Sequence, residues 1–240
     1  MDDNIVFGRI PVINALVSKQ KPIRIFLKGD DEEIISLARE KNVPIKKVTQ
    51  AELDKLTDKS NHQGVCCSLP HFAYADFKTE LARIDKDENS TILILDGIED
   101  PVNFGSMIRT SVAFGVDMII IGKNRQVQVN GTVAKVATGA QVFIPIVQVA
   151  NISQTITELK KHYFWIVAAA GEGKDAYDEI DYSGKIALVI GSEGFGISKL
   201  VKRNTDFLAS IPMTSNVTAL NASIACSVFL AQIASYRRHK

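Results

Sequence analysis

The sequence predicts an α/β protein of two regions, a small one followed by a larger one. Short apolar stretches alternate along the chain with amphipathic stretches of helical spacing, which is typical of parallel sheets covered by helices. Residues 73–90 interrupt this alternation, because they show no clear core pattern and end in the polar run DKDENS. We therefore expect a first domain at residues 1–72, a linker at 73–90 and a second domain at 91–240.

Composition and charge restrict the class of protein. Of the 240 residues 46% are hydrophobic and 23% are charged, as in ordinary globular domains. No apolar run approaches the roughly 20 residues of a membrane span, and the acidic start MDDN is unlike a signal peptide. Three cysteines without a C-x-x-C spacing argue against a disulfide framework or a metal site and favour a cytoplasmic location. The net charge of +1 is low for a nucleic-acid-binding protein, so an RNA partner requires locally concentrated basic residues.

The elements of the first region follow from hydrophobic periodicity. IPVINALVSK has helical spacing, whereas PIRIFLK (22–28) alternates like a strand. DDEEIISLAREK (30–41) opens with acids and continues with apolar residues three and four apart, which predicts a helix with acids at its positive end. A strand in VPIKKVT, a short helix in QAELDKL and a strand in GVCCSL (64–69) complete the region. We interpret Cys66 and Cys67 in that last strand as small hydrophobic residues.

The second region is more regular. TILILD (91–96) and DMIIIG (117–122) are apolar runs typical of buried parallel strands, and SMIRTSVAFG between them predicts a helix that ends at Gly115. A helix in NGTVAKVATGA, a strand in VFIPIVQV and a helix in NISQTITELKKH, capped by Asn151 or Ser153, follow. Three more strands are predicted in FWIVAAA, IALVI and FLASIPM, and a long helix in IACSVFLAQIASYRR.

Four loops are candidates for chemistry because each follows an apolar strand, and parallel sheets bind ligands at the carboxyl ends of their strands. These loops are GIEDPVNFGS, AGEG, GSEGFG and TSNVTALN. They contain more Gly, Asn, Ser and Glu than short connections require. None of them carries a G-x-G-x-x-G or a P-loop pattern, and the histidines show no metal-ligand spacing.

Each candidate residue in these loops has an ordinary structural interpretation beside the functional one. Asn103 and Asn221 are both placed to cap the helices that follow them. Arg109 shares a helix face with Ser106, away from the apolar face, as a solvated arginine would. Glu193 is the less ordinary case, since glycines on both sides leave its carboxylate little cover.

Three basic residues lie close together in and after GKNRQVQVNGT, and a solvated face is the simplest interpretation of them. They are Lys123, Arg125 and Lys135.

Three blocks of the sequence resemble the three motifs of the SpoU/TrmH family of RNA ribose 2′-O-methyltransferases, in the family's order and spacing. They are DGIEDPVNFGSMIRTSVAFGVD, LVIGSEGFGIS and IPMTSNVTALNASIA. The front region, ending in SNHQGVCCSL, resembles the family's amino-terminal RNA-binding domain, which is similar to certain ribosomal proteins. The resemblance covers nearly the whole chain and is closest to the bacterial subgroup that forms 2′-O-methylguanosine in 23S rRNA.

The resemblance implies a fold that residue patterns alone do not. Known principles favour an unknotted doubly wound sheet, since knots are nearly absent from proteins. Members of this SPOUT superfamily instead form a deep trefoil knot, whose loops hold S-adenosylmethionine in a bent shape. They are generally homodimers with the active site at the subunit contact. The resemblance therefore implies RNA and a second copy of the chain as partners, and neither a metal nor a membrane.

Position by position, the resemblance implies two groups of site residues. The substrate ribose would face Asn103, Arg109, Glu193 and Asn221. The methyl donor would contact Gly171, Gly191, Ile211 and Leu220.

Arg109 is the residue to which the family's chemistry most often assigns the role of base. Deprotonating an arginine at neutral pH costs roughly 9 kcal/mol, however. We expect Arg109 instead to act as a fixed positive charge that stabilises the developing alkoxide, oriented by Glu193 and Asn221. One position departs from the family, since Ala219 stands where a serine is common, and the neighbouring Thr218 could replace that hydroxyl only if the loop shifts.

Three functions remain open from the sequence. The first is methylation of a guanosine ribose in 23S rRNA, as free RNA or in a pre-ribosomal particle. The second is 2′-O-methylation of tRNA or of another rRNA position. The third, to which Ala219 points, is a non-catalytic RNA-binding or ribosome-assembly factor.

Overall fold

The computed structural model describes residues 5–18, 21–70, 72–214 and 219–238. Its contacts divide the chain into two units, residues 1–73 with 128–143, and residues 74–127 with 144–240. No helix in the described part of the chain is both long enough and apolar enough to cross a membrane.

The first unit is built on a four-stranded sheet. Its strands are β1 (Ile5–Phe7), β2 (Arg24–Leu27), β3 (Ile45–Lys47) and β4 (Val65–Ser68), in the spatial order β1-β4-β2-β3. β4 runs antiparallel to β1 and β2, whereas β2 and β3 are parallel. Its helices are α1 (Arg9–Val17), α2 (Glu32–Glu40), α3 (Gln50–Leu56) and α6 (Gly131–Val136). The predicted elements of this region are confirmed, and the three-residue strand β1 was not predicted.

Local sequence explains where the helices of this unit begin. The Asp31 side chain accepts a hydrogen bond from the backbone of Ile34 at 3.2 Å and caps α2, and the acids predicted at its positive end occupy the first turn. Thr49 and Glu52 form a reciprocal capping box at the start of α3.

Residues 128–143 belong to the first unit although the sequence suggested that they lie in the second domain. The Asn14 amide donates to the Thr138 carbonyl at 2.6 Å, which fixes the turn after α6 against α1. Gly139 follows with φ 81°, and a Cβ there would lie 2.7 Å from that of Asn14. The strand predicted in VFIPIVQV begins only at Ile146, because Ala140–Val142 form a turn of 3₁₀ helix.

The second unit is a seven-stranded sheet in which every pairing is parallel, as predicted. The spatial order is β7-β6-β5-β10-β8-β11-β9. The strands are β5 (Ser90–Asp96), β6 (Met118–Gly122), β7 (Ile146–Val149), β8 (Trp165–Ala169), β9 (Asp175–Ala176), β10 (Lys185–Gly191) and β11 (Phe207–Ser210). The helices are α4 (Phe77–Ile84), α5 (Pro101–Ala113), α7 (Ile152–Lys161), α8 (Lys199–Lys202) and α9 (Ala222–Arg238).

Helices cover both faces of this sheet. On one face α4 and α7 pack over a buried cluster that includes Ile92 and Ile94 of β5. The intervening side chains Leu93 and Leu95 point to the other face, since side chains alternate along a strand. On that second face α9 packs against α5 and against β10 and β8. Asn151, one of the two predicted caps, caps α7 by accepting from the backbone of Gln154 at 3.1 Å.

The segment 73–90, which the sequence suggested to be a linker, contains α4. Asp76 caps this helix through the backbone of Thr79 at 2.9 Å, and Leu81 and Ile84 are buried in the core. Five polar residues between Ile84 and β5 produced the linker-like texture. The apolar positions of so short a helix are too few to stand out as a periodic pattern.

Candidate active site

The loops after β5 and β10 meet at the carboxyl edge of the sheet. The two strands are neighbours, and their last residues Asp96 and Gly191 are paired in register. The Ser198 backbone N–H donates to the Asp96 carboxylate at 2.7 Å, which ties the second loop to the end of the first strand. Two of the four loops singled out in the sequence are therefore adjacent.

Asp100 caps the start of α5, so the side chain of Asn103 is not needed as the cap and can make other contacts. The Asp100 carboxylate accepts from the backbone N–H groups of Val102 and Asn103, each at 3.1 Å, and Pro101 occupies the first helical position. The interpretation of Asn103 as the cap is wrong, because the helix begins at Pro101, about one turn before the predicted start near Gly105. The predicted end is confirmed, since Gly115 follows with φ 69°.

Asn103 is the centre of a short polar network. Its amide nitrogen donates to the Glu193 carboxylate, and its amide oxygen accepts from the Asn221 amide at 3.1 Å. Asn221 also caps α9, because its oxygen accepts from the Ser223 backbone at 2.9 Å and hydroxyl at 2.7 Å. Both interpretations of Asn221 therefore apply. Asn103 is only 7% exposed, which limits its freedom to leave the network.

The GSEGFG loop is a tight turn that presents Glu193. The Gly196 backbone N–H donates to the Ser192 carbonyl at 2.8 Å and Ser192 returns a bond at 3.2 Å, so the loop folds back on itself. Gly191 is required here, because a Cβ on it would lie 2.2 Å from the Gly196 carbonyl carbon. Phe195, at the tip, is 97% exposed. The glycine spacing is thus a means of turning the chain and not a dinucleotide fingerprint.

A cavity of about 190 Å³ opens beside this network. All four residues that the resemblance assigned to the methyl donor line this cavity, namely Gly171, Gly191, Ile211 and Leu220. Ala219 and Glu193 line it as well. Residues 215–218 of the fourth loop, including Thr218, lie outside the described residues.

Sequence reasoning missed two charged residues of the cavity wall. Glu172 and Lys202 line it and form an ion pair, which holds the pKa of the Glu172 carboxyl below its ordinary value. Glu172 lies within the AGEG loop and could have been found there. Lys202 lies on α8, a four-residue helix without a periodic signal, and nothing in the sequence indicated it.

Arg109 lies apart from the network within one chain. It is exposed, and six residues of helix place it about 9 Å along α5 from Asn103 and about 120° around its axis. Its side chain forms no hydrogen bond or ion pair with another residue of the described ranges. Glu193 and Asn221, which were expected to orient Arg109, instead contact Asn103.

The parallel sheet, the cavity at its carboxyl edge and the adjacent polar network define an α/β enzyme that binds its ligand between loops. Comparison with family models makes this class specific. Residues 90–231 match the SpoU rRNA Methylase family, and residues 5–75 match the RNA 2′-O ribose methyltransferase substrate-binding model. The chain therefore belongs to the SpoU rRNA methylase family, which confirms the resemblance seen in the sequence.

Individual relatives agree with this assignment. A protein of Staphylococcus saprophyticus described as a TrmH family tRNA/rRNA methyltransferase is 40% identical, over 100% of this chain and 98% of its own. The AdoMet-bound rRNA methyltransferase of Sinorhizobium meliloti superposes with a TM-score of 0.83 at 26% identity, covering 98% of this chain and 87% of that one. The SpoU methyltransferase AviRb of Streptomyces viridochromogenes shares the fold, with a TM-score of 0.86 at 21% identity, over 99% of this chain and 91% of that one.

The family fixes the general activity. The protein is an RNA 2′-O-ribose methyltransferase with S-adenosylmethionine as methyl donor and RNA as substrate. The cavity suits that donor, since Ile211 and Leu220 offer apolar surface to a ring and Gly171 leaves the backbone accessible.

Proposed function

We propose that the protein methylates the ribose 2′-hydroxyl of a guanosine in 23S rRNA. The observation that carries the proposal is the Asn103–Glu193–Asn221 network at the mouth of a cavity suited to the donor. The 23S target follows from the subgroup that the sequence resembles most closely. A free RNA and a pre-ribosomal particle are both compatible with the modest net charge of +1.

The bound donor supplies an electrophilic methyl group, and the residues of this chain prepare the acceptor. Gly171, Gly191, Ile211 and Leu220 hold the donor in the cavity. The network then orients the ribose: Glu193 accepts a hydrogen bond from the substrate hydroxyl, while Asn103 and Asn221 keep its carboxylate in place. Because Asn103 is buried and already held on both sides of its amide, little reorganisation is needed when substrate binds.

Arg109 supplies positive charge for the developing alkoxide. In one chain it lies apart from the network, so we propose that it serves the site of a second subunit in a homodimer. Exposed apolar side chains support this arrangement. Val102, which is 52% exposed, shares a face of α5 with Arg109 seven residues later, and Ile224 at the start of α9 is 53% exposed.

We further propose the division of labour that the sequence suggested. Residues 1–72 bind RNA and residues 91–240 carry the chemistry, the second domain with the family's trefoil knot. The helix α4 in 73–90 then joins the two functions as a packed element. A cytoplasmic location follows from the RNA substrate.

Ala219 supports one alternative function. It lines the cavity where the family commonly has a serine, so the missing hydroxyl would have faced the donor site. A chain that binds RNA but transfers no methyl group would be the consequence if that hydroxyl is essential. Methylation of tRNA is the second alternative, since the relatives are described as tRNA/rRNA methyltransferases.

The deciding experiment is transfer of labelled methyl from S-adenosylmethionine to unmodified 23S rRNA and, separately, to bulk tRNA, followed by nucleoside analysis. We expect label in 2′-O-methylguanosine from the rRNA alone. Label in tRNA would retain the chemistry and replace the substrate. Absence of label from both RNAs and from pre-ribosomal particles, with donor-dependent thermal stabilisation intact, would support the non-catalytic alternative.

A further inference from the structure

The loop between β6 and α6 carries two cations without partners. We call residues 123–127 the basic loop. Lys123 and Arg125 are exposed there, and within the described ranges neither side chain forms a hydrogen bond or an ion pair. Lys135, the third basic residue that the sequence grouped with them, differs because its ammonium lies 4.3 Å from the centre of the Phe7 ring. The two cations of the basic loop are thus available to a partner.

The basic loop is fixed to its neighbours on both sides. The Lys123 backbone N–H donates to the Val149 carbonyl at the end of β7 at 3.0 Å. The buried Gln126 side chain accepts from the Ile98 backbone at 2.9 Å, and the Val127 N–H donates to the Ile98 carbonyl at 2.8 Å. A loop held by three such bonds presents its charged side chains from a defined position, which reduces the entropy lost when they bind.

The backbone of Arg125 occupies a conformation that an arginine adopts at a cost. Its φ is 53°, in the left-handed region, where a residue with a side chain pays about 1 kcal/mol or more relative to glycine. Glycine would adopt this turn more cheaply, and Arg125 adopts it at that cost. Strained positions of this kind occur preferentially where a side chain serves binding.

The basic loop lies beside the loop that leads from β5 to α5, whose first turn carries Asn103. β6 is the parallel neighbour of β5, with Leu95 and Ile121 paired in register, so both loops leave the same edge of the sheet. Ile98, to which the basic loop is bonded, is only five residues before Asn103. Glu99 is the nearest acid along that loop without a capping role, and it forms no ion pair with either cation.

We propose that Lys123 and Arg125 bind the phosphates of the RNA strand next to the methylated ribose. This inference rests on the proposed function for the position of the ribose. Phosphate is the chemistry that fits best, because an arginine fork and a lysine ammonium on a fixed loop match a regularly spaced anionic backbone. In a chain with a net charge of +1, such a local pair is the means by which the substrate strand is attracted and aligned.

The test compares two double variants that each remove two positive charges. Lys123→Gln with Arg125→Gln changes the basic loop. Lys78→Gln with Lys86→Gln changes two exposed lysines, the first in α4 and the second just after it. Because α4 precedes β5, its end leads to the amino edge of the sheet, opposite the carboxyl edge from which the basic loop leaves. Binding of unmodified 23S rRNA and bulk tRNA is measured by titration over a range of salt concentrations, without methyl donor.

For the loop variant we expect weaker binding and a shallower dependence of log K on log salt, by about 1.4–1.8 for two lost phosphate contacts. The control variant should keep the wild-type slope. In the transfer assay the loop variant should show a raised KM for RNA with an unchanged kcat at saturating RNA. Donor-dependent thermal stabilisation should also be unchanged, because neither residue lines the cavity.

Equal slopes for the two double variants would overturn the inference, as would a fall in kcat without any loss of RNA binding. Weakened binding to a pre-ribosomal particle with unchanged binding to free RNA would also overturn it, because an acidic protein surface would then be the partner. The outcome is separable from that of the proposed function. A wild-type protein that binds RNA through these two residues but transfers no methyl group would sustain the inference and refute the proposed function.

Discussion

Gly191 is the residue at which the site tolerates least additional volume. A methyl group on its Cα would lie 2.2 Å from the Gly196 carbonyl carbon and 2.4 Å from the Ile197 nitrogen, both of them backbone atoms that cannot rotate away. We expect Gly191→Ala to lower the free energy of unfolding by about 2–3 kcal/mol, which corresponds to a fall in Tm of about 4–12 °C. Thermal unfolding with and without S-adenosylmethionine measures both this loss and the loss of donor-dependent stabilisation.

The same loop offers a control for Gly191. A Cβ on Gly194 would meet nothing within 4 Å. Gly194→Ala should therefore change stability by less than about 0.5 kcal/mol and preserve the thermal response to the donor. If both variants behave alike, crowding at Gly191 is not the reason for the glycine.

A substitution at Asn103 tests the polar network and leaves the cap of α5 intact. Asn103→Asp places a second carboxylate against Glu193, whereas the Asn221 amide can still donate to it. An acid in the first turn of α5 is favourable to the helix dipole, but a second carboxylate buried beside Glu193 is repelled by it, so Tm should fall by about 2–8 °C. Repulsion should displace Glu193 and lower kcat by about 10²-fold, the typical effect of losing one preorganised polar group. Methyl transfer at saturating RNA and donor is the measurement, and full activity would exclude this network from the chemistry.

At the scale of elements, one ion cluster joins the end of α4 to the start of β10. The Lys185 ammonium donates to the Asp85 carboxylate at 2.7 Å, and the His162 imidazole lies 3.0 Å from its other oxygen. These two groups, Lys185 first, hold the pKa of the Asp85 carboxyl below its ordinary value. An acid with a lowered pKa in the folded state stabilises the fold above its unfolded pKa, and this contribution is lost as the pH falls through the folded value.

The lowered pKa of the Asp85 carboxyl predicts how the stability of the Asp85→Asn variant depends on pH. At pH 7 the variant should be less stable than the wild type by about 0.5–1 kcal/mol, a modest value because the carboxylate is partly exposed and screened by water. The difference should shrink as the pH falls below about 4 towards the lowered pKa. Urea unfolding at several pH values measures it, with the exposed neighbour Asp87→Asn as control. A difference that is constant with pH would show that the ion cluster does not contribute.

Elements with strong periodicity were predictable from the sequence, and elements without it were not. The apolar runs that became β5 and β6 and the amphipathic run of α7 signal their structure within one segment. The two-residue strand β9 and the three-residue β1 exist only because a partner strand lies beside them. No local pattern encodes such a partner, and this is also why the grouping of residues 128–143 with the first unit was not predicted.

The features of the candidate site also fall into those that the sequence predicts and those that it does not. That Asn103, Glu193 and Asn221 lie in the segments that follow strand ends could be predicted, because parallel strands end at one edge. Their direct contact across 90 and 118 residues of sequence could not, since it depends on how the loops fold back. The capping role of Asp100 was available in the sequence, as an Asp-Pro start is a known signal, but Asn103 was preferred for it.

At the scale of the whole molecule, one chain does not bring Arg109 to the network with which it is proposed to act. If the enzyme is a homodimer whose sites each combine the Arg109 of one subunit with the Glu193 of the other, two inactive variants complement each other. Mixed dimers of Arg109→Ala and Glu193→Gln contain one site with both defects and one site with neither. Isolated mixed dimers should therefore show about half of the wild-type activity per site, and an unseparated random mixture, in which half of the dimers are mixed, about one quarter.

The matched control for this mixing experiment pairs Asn103→Asp with Glu193→Gln. These two residues contact each other within one chain, so every site in a mixed dimer carries one of the two defects and no activity should return. Co-expression with two affinity tags isolates the mixed dimers, and methyl transfer per site is the measurement. Recovery in the first pair alone requires a site shared between subunits, because only a composite site can separate Arg109 from Glu193. Absence of recovery in both pairs, with mixed dimers isolated, would place Arg109 and Glu193 in the service of the same subunit and require α5 to bend or rotate when RNA binds.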